Sequence, residues 1–104
     1  MNEITIQEFE QLKNSGKEYQ LVDVREPFEF DIVNMGGELI PMGSILEQKE
    51  RIALDKPVIF QCKSGGRSAN VTRYFEQMGY TNVYNLKGGI LAYIQEVAPH
   101  LPTY

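Results

Sequence analysis

Short apolar runs alternate along the chain with longer segments that have helical spacing. Four runs have the apolar, β-branched character of strands, and they lie at residues 19–24, 39–40, 57–61 and 82–86. The run at 57–61, Pro-Val-Ile-Phe-Gln, is the clearest buried strand, and it leads directly into Cys62. Strands separated by helices of this length pair in parallel through right-handed crossovers. We therefore expect an α/β domain with helices on both faces of its sheet.

Capping residues and glycines mark the predicted helix ends. Thr5 and Glu8 have the spacing of a capping box, and Gly16 is placed to end the helix that they begin. Ser44 and Glu47 repeat this spacing and predict another capped helix. Both glutamates are therefore interpreted as caps and not as catalytic carboxylates.

The remaining helices are recognised from proline, glycine and apolar spacing. Pro27 predicts a short helix through Phe30, and Gly79 ends the helix that follows the glycine-rich segment. The Gly88-Gly89 pair turns the chain into a last helix at about 90–97. Helical spacing predicts that these side chains face the core: Ile6, Phe9, Leu12, Val71, Tyr74, Phe75, Met78, Ile90, Tyr93, Ile94 and Val97.

Length and charge narrow the class of protein. The 104 residues predict one domain, 1–104, and 42% hydrophobic with 23% charged residues is ordinary for a globular chain. A net charge of −4 without a basic cluster argues against binding to nucleic acid or to an anionic membrane. No apolar run approaches the roughly 20 residues of a membrane span, and the N-terminus has no signal-peptide pattern. We expect a cytoplasmic protein.

The single cysteine limits the available chemistry. With one cysteine and one histidine, the chain can form neither an internal disulfide nor a cysteine/histidine zinc site. A carboxylate-only metal site stays open, but no motif points to one, and no metal or cofactor is predicted. A function of Cys62 beyond packing would therefore use its thiol or thiolate.

The segment around Cys62 has the pattern of an anion-binding loop. Its glycines permit backbone conformations closed to other residues, so successive N–H groups can point inward beside the start of a helix. Arg67 adds a positive charge, and Lys63 adds another unless it points into solvent. A lone cysteine is usually a core residue, but a core cysteine needs no Gly-Gly and arginine beside it. The candidate site residues are Cys62, Lys63, Ser64, Gly65, Gly66, Arg67 and Ser68.

Three motifs, in order along the chain, resemble those of the rhodanese family. Residues 62–68, Cys-Lys-Ser-Gly-Gly-Arg-Ser, resemble its active-site loop in the form Cys-x-Ser-Gly-x-Arg-Ser. Residues 21–26 resemble its Asp-x-Arg segment, and residues 86–90 resemble its Gly-Gly turn before the last helix. The resemblance implies a central five-stranded parallel sheet flanked by helices, and a sulfurtransferase that carries sulfur as a persulfide on Cys62.

The resemblance also implies partners and a subfamily. The donor would be thiosulfate or the persulfide of a cysteine desulfurase, and the acceptor would be cyanide, a small thiol or a sulfur-carrier protein. Residues 36–41 and the closing residues 100–104 look closer to rhodanese domains fused to adenylyltransferases of molybdopterin and thiamine sulfur chemistry. The resemblance implies that Asp23 and Arg25 form a structural ion pair that supports a loop. The alternative is that they contact the substrate.

Two other functions remain open at this point. One is phosphatase or arsenate reductase activity: dual-specificity phosphatases related to this fold place five residues between cysteine and arginine, whereas only four separate Cys62 from Arg67. The smaller loop suits one sulfur atom better than a tetrahedral phosphate. The other alternative is a non-catalytic binding or regulatory module, which predicts a thiol of ordinary reactivity.

Overall fold

Five short strands form one parallel sheet in the computed structural model, which describes residues 1–104. The order of the strands, β1-β5-β4-β2-β3, puts β4 in the centre. This confirms the expected α/β class and the five-stranded parallel sheet that the resemblance implied. The strands are β1 (Glu3–Ile4), β2 (Gln20–Asp23), β3 (Glu38–Leu39), β4 (Val58–Gln61) and β5 (Val83–Leu86).

The two edge strands differ most from the sequence-based expectation. Strand β1 was not predicted, and it forms because Glu3 pairs with Asn85 and Ile4 pairs with Leu86. At two residues it is too short to show an alternating pattern. Strand β3 lies one residue earlier than expected, with Glu38 opposite Val22 of β2.

Three α-helices and one 3₁₀ segment connect the strands, and a fourth α-helix follows β5. The Thr5–Glu8 capping box is confirmed, because each side chain accepts a hydrogen bond from the other residue's backbone N–H. The predicted Ser44–Glu47 capping box is wrong, because the Ser44 hydroxyl donates to the Pro41 carbonyl instead. The helices are α1 (Ile6–Asn14), α2 (Pro27–Ile32), α3 (Gly66–Gln77) and α4 (Gly89–Val97), and the 3₁₀ segment is Ile45–Arg51.

The core lies on both faces of the sheet. On one face α3 and the 3₁₀ segment cover β2 and β4, and the ring of Phe75 lies 5.3 Å from that of Phe60. On the other face Phe9 of α1 packs with Ile59 and Leu86. The two faces therefore enclose β4 completely, and all four of its residues are buried. None of the helices has the length and apolar character that crossing a bilayer requires.

Three of the side chains expected in the core are instead exposed. Tyr74 is 45%, Met78 38% and Val97 40% exposed. In α3 the face toward the sheet includes Ser68 and Thr72, both fully buried, so it is rotated away from the predicted apolar stripe. Both can be buried because their hydroxyls are hydrogen-bonded: Ser68 donates to Asn85 of β5, and Thr72 donates to the Ser68 backbone carbonyl in the same helix. A hydrophobic pattern instead counts both as surface residues.

Candidate active site around Cys62

Cys62 lies at the carboxyl end of the central strand, immediately after β4. Cys62 is only 1% exposed. The chain then reverses at Gly65, whose φ of +108° is closed to other residues, and enters α3 at Gly66. The carboxyl ends of parallel strands are where α/β folds place their functional groups. The fold therefore brings the sulfur to the expected edge of the sheet, with a helix start directed at it.

Hydrogen-bond donors surround the sulfur. The backbone N–H of Gly65 lies 3.1 Å from Cys62 Sγ, and the backbone N–H of Ser68 lies 3.4 Å from it. The N–H groups of Gly66 and Arg67, in the first turn of α3, have no acceptor within the helix. Donors at a helix start stabilise negative charge. The loop can therefore bind a thiolate, and it has free N–H groups for a second anionic atom.

The Ser68 hydroxyl lies between the sulfur and a buried amide. Its Oγ is 3.3 Å from Cys62 Sγ and 2.5 Å from Oδ1 of Asn85 in β5. A hydroxyl carries one proton, so it donates to the amide while it accepts from a thiol, or turns and donates to a thiolate. No local sequence pattern points to Asn85, because its partner Ser68 is 17 residues away.

The start of α4 fixes the backbone of the cysteine loop. The N–H of Ile90 donates to the Cys62 carbonyl at 2.9 Å, and the N–H of Leu91 donates to the Lys63 carbonyl at 3.1 Å. Gly89 approaches so closely that a Cβ there would lie 2.4 Å from the Cys62 carbonyl oxygen. Because these carbonyls are bound on the side of α4, the loop keeps its N–H groups for the sulfur.

Arg67 is paired and does not present a free charge. Its guanidinium forms two hydrogen bonds to the Glu29 carboxylate of α2, at 2.7 and 2.9 Å. The hydrogen bonds from Arg67 hold the pKa of Glu29 at about 2, against the opposing effect of burial. The sequence predicted a positive charge beside Cys62; the structure adds a buried carboxylate that largely neutralises it.

Asp23 and Arg25 lie together in a fully buried ion pair. Arg25 Nη2 is 2.7 Å from Asp23 Oδ2, and it also donates to the Val33 carbonyl at 2.7 Å. Arg25 Nη1 donates to the Tyr104 hydroxyl at 2.9 Å. A buried guanidinium with this many partners holds chain segments in place. The pair therefore connects β2, the end of α2 and the closing residues of the chain.

Tyr104 joins the two arginine groups. Its hydroxyl accepts from Arg25 and donates to Glu29 Oε2 at 2.7 Å. Burial raises the pKa of this hydroxyl, which keeps it a donor.

Lys63 Nζ lies 4.5 Å from the centre of the Tyr104 ring, while Ser64 is exposed. Glu29 and Tyr104 were not predicted as site residues, since both reach the loop only through contacts distant in sequence. No group of three or more His, Cys, Asp or Glu side chains converges as a metal-ligand set.

Comparison with known proteins gives consistent matches. The family model described as the rhodanese-like domain matches residues 5–96. A protein of Allochromatium vinosum named sulfurtransferase is 34% identical over 100 residues, which cover 95% of this chain and 94% of that protein. The crystal structure of a rhodanese-like domain protein from Staphylococcus aureus has a TM-score of 0.83 at 30% identity, and the match covers 100% of this chain and 99% of that one.

Longer proteins match as well. The probable adenylyltransferase/sulfurtransferase MoeZ of Mycobacterium tuberculosis is 34% identical over 105 residues, which cover 97% of this chain. This match confirms the predicted likeness to rhodanese domains linked to adenylyltransferases. The chain spans between 26% and 64% of the length of four curated relatives, MoeZ among them.

Proposed function

The chain belongs to the rhodanese-like domain family, and from this membership we propose that it is a sulfurtransferase that carries sulfane sulfur as a persulfide on Cys62. Relatives named sulfurtransferase, about a third identical over most of the chain, support rhodanese-type sulfur transfer in general. The persulfide, the donor and the acceptor are our proposal for this chain.

The observation that carries the proposal is the set of donors around one sulfur atom. Gly65 N–H, Ser68 N–H and the Ser68 hydroxyl all lie within 3.4 Å of Cys62 Sγ. Each of these donors can hydrogen-bond to an anionic sulfur, and the thiolate is the form of cysteine that acts as a nucleophile. The unpaired N–H groups of Gly66 and Arg67 would then bind the outer, anionic sulfur of a persulfide.

The proposed cycle has two displacement steps. The Cys62 thiolate attacks the outer sulfur of thiosulfate, the bond between the two donor sulfurs breaks with its electron pair, and sulfite leaves. Cys62 now carries a persulfide with one negative charge. An acceptor such as cyanide attacks the outer sulfur, the S–S bond breaks, and thiocyanate leaves while the thiolate is restored. Neither step requires a metal or an external oxidant.

The physiological partners are proposed from the relatives. The persulfide of a cysteine desulfurase would replace thiosulfate as donor, with a cysteine thiolate leaving instead of sulfite. A small thiol or a sulfur-carrier protein would replace cyanide as acceptor. The similarity to MoeZ, an adenylyltransferase/sulfurtransferase by name, favours a carrier protein.

Arg67 argues against the phosphatase alternative. An arginine that binds phosphate usually does so with two parallel hydrogen bonds, and here Glu29 already engages both outer nitrogens of Arg67 in such a pair. The loop is also one residue shorter than the phosphatase loop. Turnover of an aryl phosphate by the purified protein would reverse this conclusion.

Intact mass spectrometry tests the proposed function. The purified protein incubated with thiosulfate should gain one sulfur atom, cyanide should remove it, and Cys62→Ala should not gain it. A persulfidated cysteine desulfurase serves as the second donor. If neither donor loads Cys62, or if Cys62→Ala still transfers sulfur at the wild-type rate, the proposal is wrong and a binding module becomes the better interpretation.

A further inference from the structure

Lys63 is the loop cation that has no carboxylate partner. The salt bridges of the structure pair Arg67 with Glu29 and Arg25 with Asp23, whereas Lys63 belongs to none. Lys63 directly follows Cys62, and its backbone carbonyl is held by α4. Of the three cations in this region, Lys63 is therefore the one whose charge remains available to an approaching anion.

The Tyr104 ring fixes where that charge lies. Lys63 Nζ is 4.5 Å from the ring centre, within the range of a cation–π contact. The ring is itself held by its hydroxyl, which accepts from Arg25 and donates to Glu29. A lysine side chain otherwise samples many rotamers, and restricting it costs conformational entropy. The anchored ring offers this lysine one favoured position beside the loop.

We propose that Tyr104 is a positioning residue that holds Lys63 at the mouth of the Cys62 site, where the ammonium attracts anionic sulfur donors. This rests on the proposed function and deepens it by assigning the recognition of anionic donors to Lys63 and Tyr104. Arg67 is assigned a structural role, because Glu29 takes both of its outer nitrogens.

A pair of alkylating reagents measures this charge without sulfur transfer. Iodoacetate and iodoacetamide have nearly the same size, and both alkylate cysteine thiolates, but only iodoacetate is anionic. Since access and sulfur nucleophilicity affect both reagents, the ratio of their rates reports the electrostatic attraction at the sulfur. One unit charge several ångströms away in water changes the rate of reaction with an anion by a factor of about three.

Four proteins are compared: wild type, Lys63→Met, Tyr104→Leu and Tyr104→Phe. Lys63→Met should lower the iodoacetate/iodoacetamide ratio about threefold. Tyr104→Leu should lower it in the same direction, because the lysine loses its ring. Tyr104→Phe keeps the ring but removes the hydroxyl that anchors it, so it should lower the ratio by less than Tyr104→Leu does. Thiosulfate KM should rise in parallel in the first two variants, with kcat unchanged.

The outcomes separate the two proposals. An unchanged ratio in Lys63→Met, or a Tyr104→Leu ratio equal to that of wild type, overturns this inference even if sulfur transfer is intact. Absence of sulfur loading in the wild type overturns the proposed function whatever the ratios are. Circular dichroism checks that Tyr104→Leu is folded; if it is not, the Lys63→Met and Tyr104→Phe ratios still decide.

Discussion

Two glycine pairs, Gly65-Gly66 and Gly88-Gly89, begin α3 and α4 and lie against each other. The residue before each helix is a left-handed glycine, with φ of +108° at Gly65 and +82° at Gly88. A Cβ on Gly65 would lie 3.4 Å from the backbone nitrogen of Gly88. The two turns have similar backbone conformations, but the N–H groups at the start of α3 and those at the start of α4 bind different groups of the cysteine loop.

The first turn directs donors at the sulfur, and the second binds acceptors of the same loop. Gly65 and Ser68 offer N–H groups to Cys62 Sγ, whereas the N–H groups after Gly89 bind the carbonyls of Cys62 and Lys63. An anion site needs its donors turned inward and its carbonyls turned away. Here two separate helix starts meet these two requirements.

The largest effect is expected from Gly89→Ala. The new Cβ would lie 2.4 Å from the Cys62 carbonyl and 2.6 Å from the Lys63 carbonyl, at a backbone φ of +61°. Backbone must move, so we expect a stability loss of about 3 kcal/mol and at least a tenfold loss of persulfide formation. Urea unfolding and the rate of sulfur loading measure the two effects. Wild-type loading would show that the second turn does not shape the loop.

Gly65→Ala should have a smaller effect on stability. Its Cβ would make only an ordinary contact at 3.4 Å, so the cost is the left-handed backbone, about 1–2 kcal/mol. Loading should nevertheless fall, because the N–H at 3.1 Å from the sulfur would shift. A stability loss equal to that of Gly89→Ala would remove the proposed difference between the two turns.

Ser68→Ala tests the donors of the first turn alone. It removes the hydroxyl 3.3 Å from the sulfur but keeps the backbone N–H and the helix. We expect sulfur loading to slow roughly tenfold, which corresponds to about 1.4 kcal/mol of lost stabilisation. Ser64→Ala is the matched control, since Ser64 is exposed on the same loop. Equal loading rates in both variants would contradict a role for the hydroxyl.

Acid should destabilise the protein by weakening the ion pair between Glu29 and Arg67 at the start of α3. Its pKa of about 2 lies below the ordinary 4.5, so the unfolded chain takes up this proton first as pH falls. The stability that the Arg67 pair contributes is therefore complete above about pH 4.5 and is lost as pH falls toward 2. Urea unfolding of wild type and Glu29→Gln should differ most at neutral pH and converge in this window. A constant difference down to pH 2.5 would contradict the pairing.

Gly16→Ala should have the smallest effect. Gly16 also has a positive φ, +80°, but a Cβ there would have no atom within 4 Å. The cost should be about 1 kcal/mol of backbone strain, with sulfur loading unchanged. This variant measures the stability cost of positive-φ backbone strain alone, for comparison with Gly89→Ala and Gly65→Ala. A change in loading here would mean that such strain acts at a distance.

Local signals predicted most of the fold. The apolar run into Cys62, the Thr5 cap and the glycine turns each depend on neighbours within a few residues. Strand β1 escaped prediction because its two residues are defined only by their pairing with β5. Tyr74 was wrongly predicted to face the core because its apolar ring fits the pattern of a buried helix face. In the structure Tyr74 is exposed and Thr72 is buried instead.

The candidate site likewise contains residues that local sequence patterns could predict and residues that they could not. The segment from Cys62 to Ser68 is contiguous, so its pattern could be found in the sequence. Glu29 and Tyr104 lie 38 residues from Arg67 and 79 residues from Arg25, respectively. No periodicity or spacing relates such positions. Only the folded chain shows that Arg67, which looks like a free cation in the motif, is already paired.

The burial of Cys62 has a consequence for which of two sulfurs an acceptor attacks. The proposed persulfide would extend the 1% exposed side chain by one S–S bond of about 2.05 Å, which would place the delivered atom beyond the Cys62 sulfur. Attack on the outer atom transfers it and frees the thiolate. Attack on the inner atom would release sulfide and leave the acceptor bound to Cys62 in a mixed disulfide. In the proposed persulfide, the recessed inner sulfur would direct an acceptor to the outer atom, and the depth of Cys62 would then decide which sulfur is attacked.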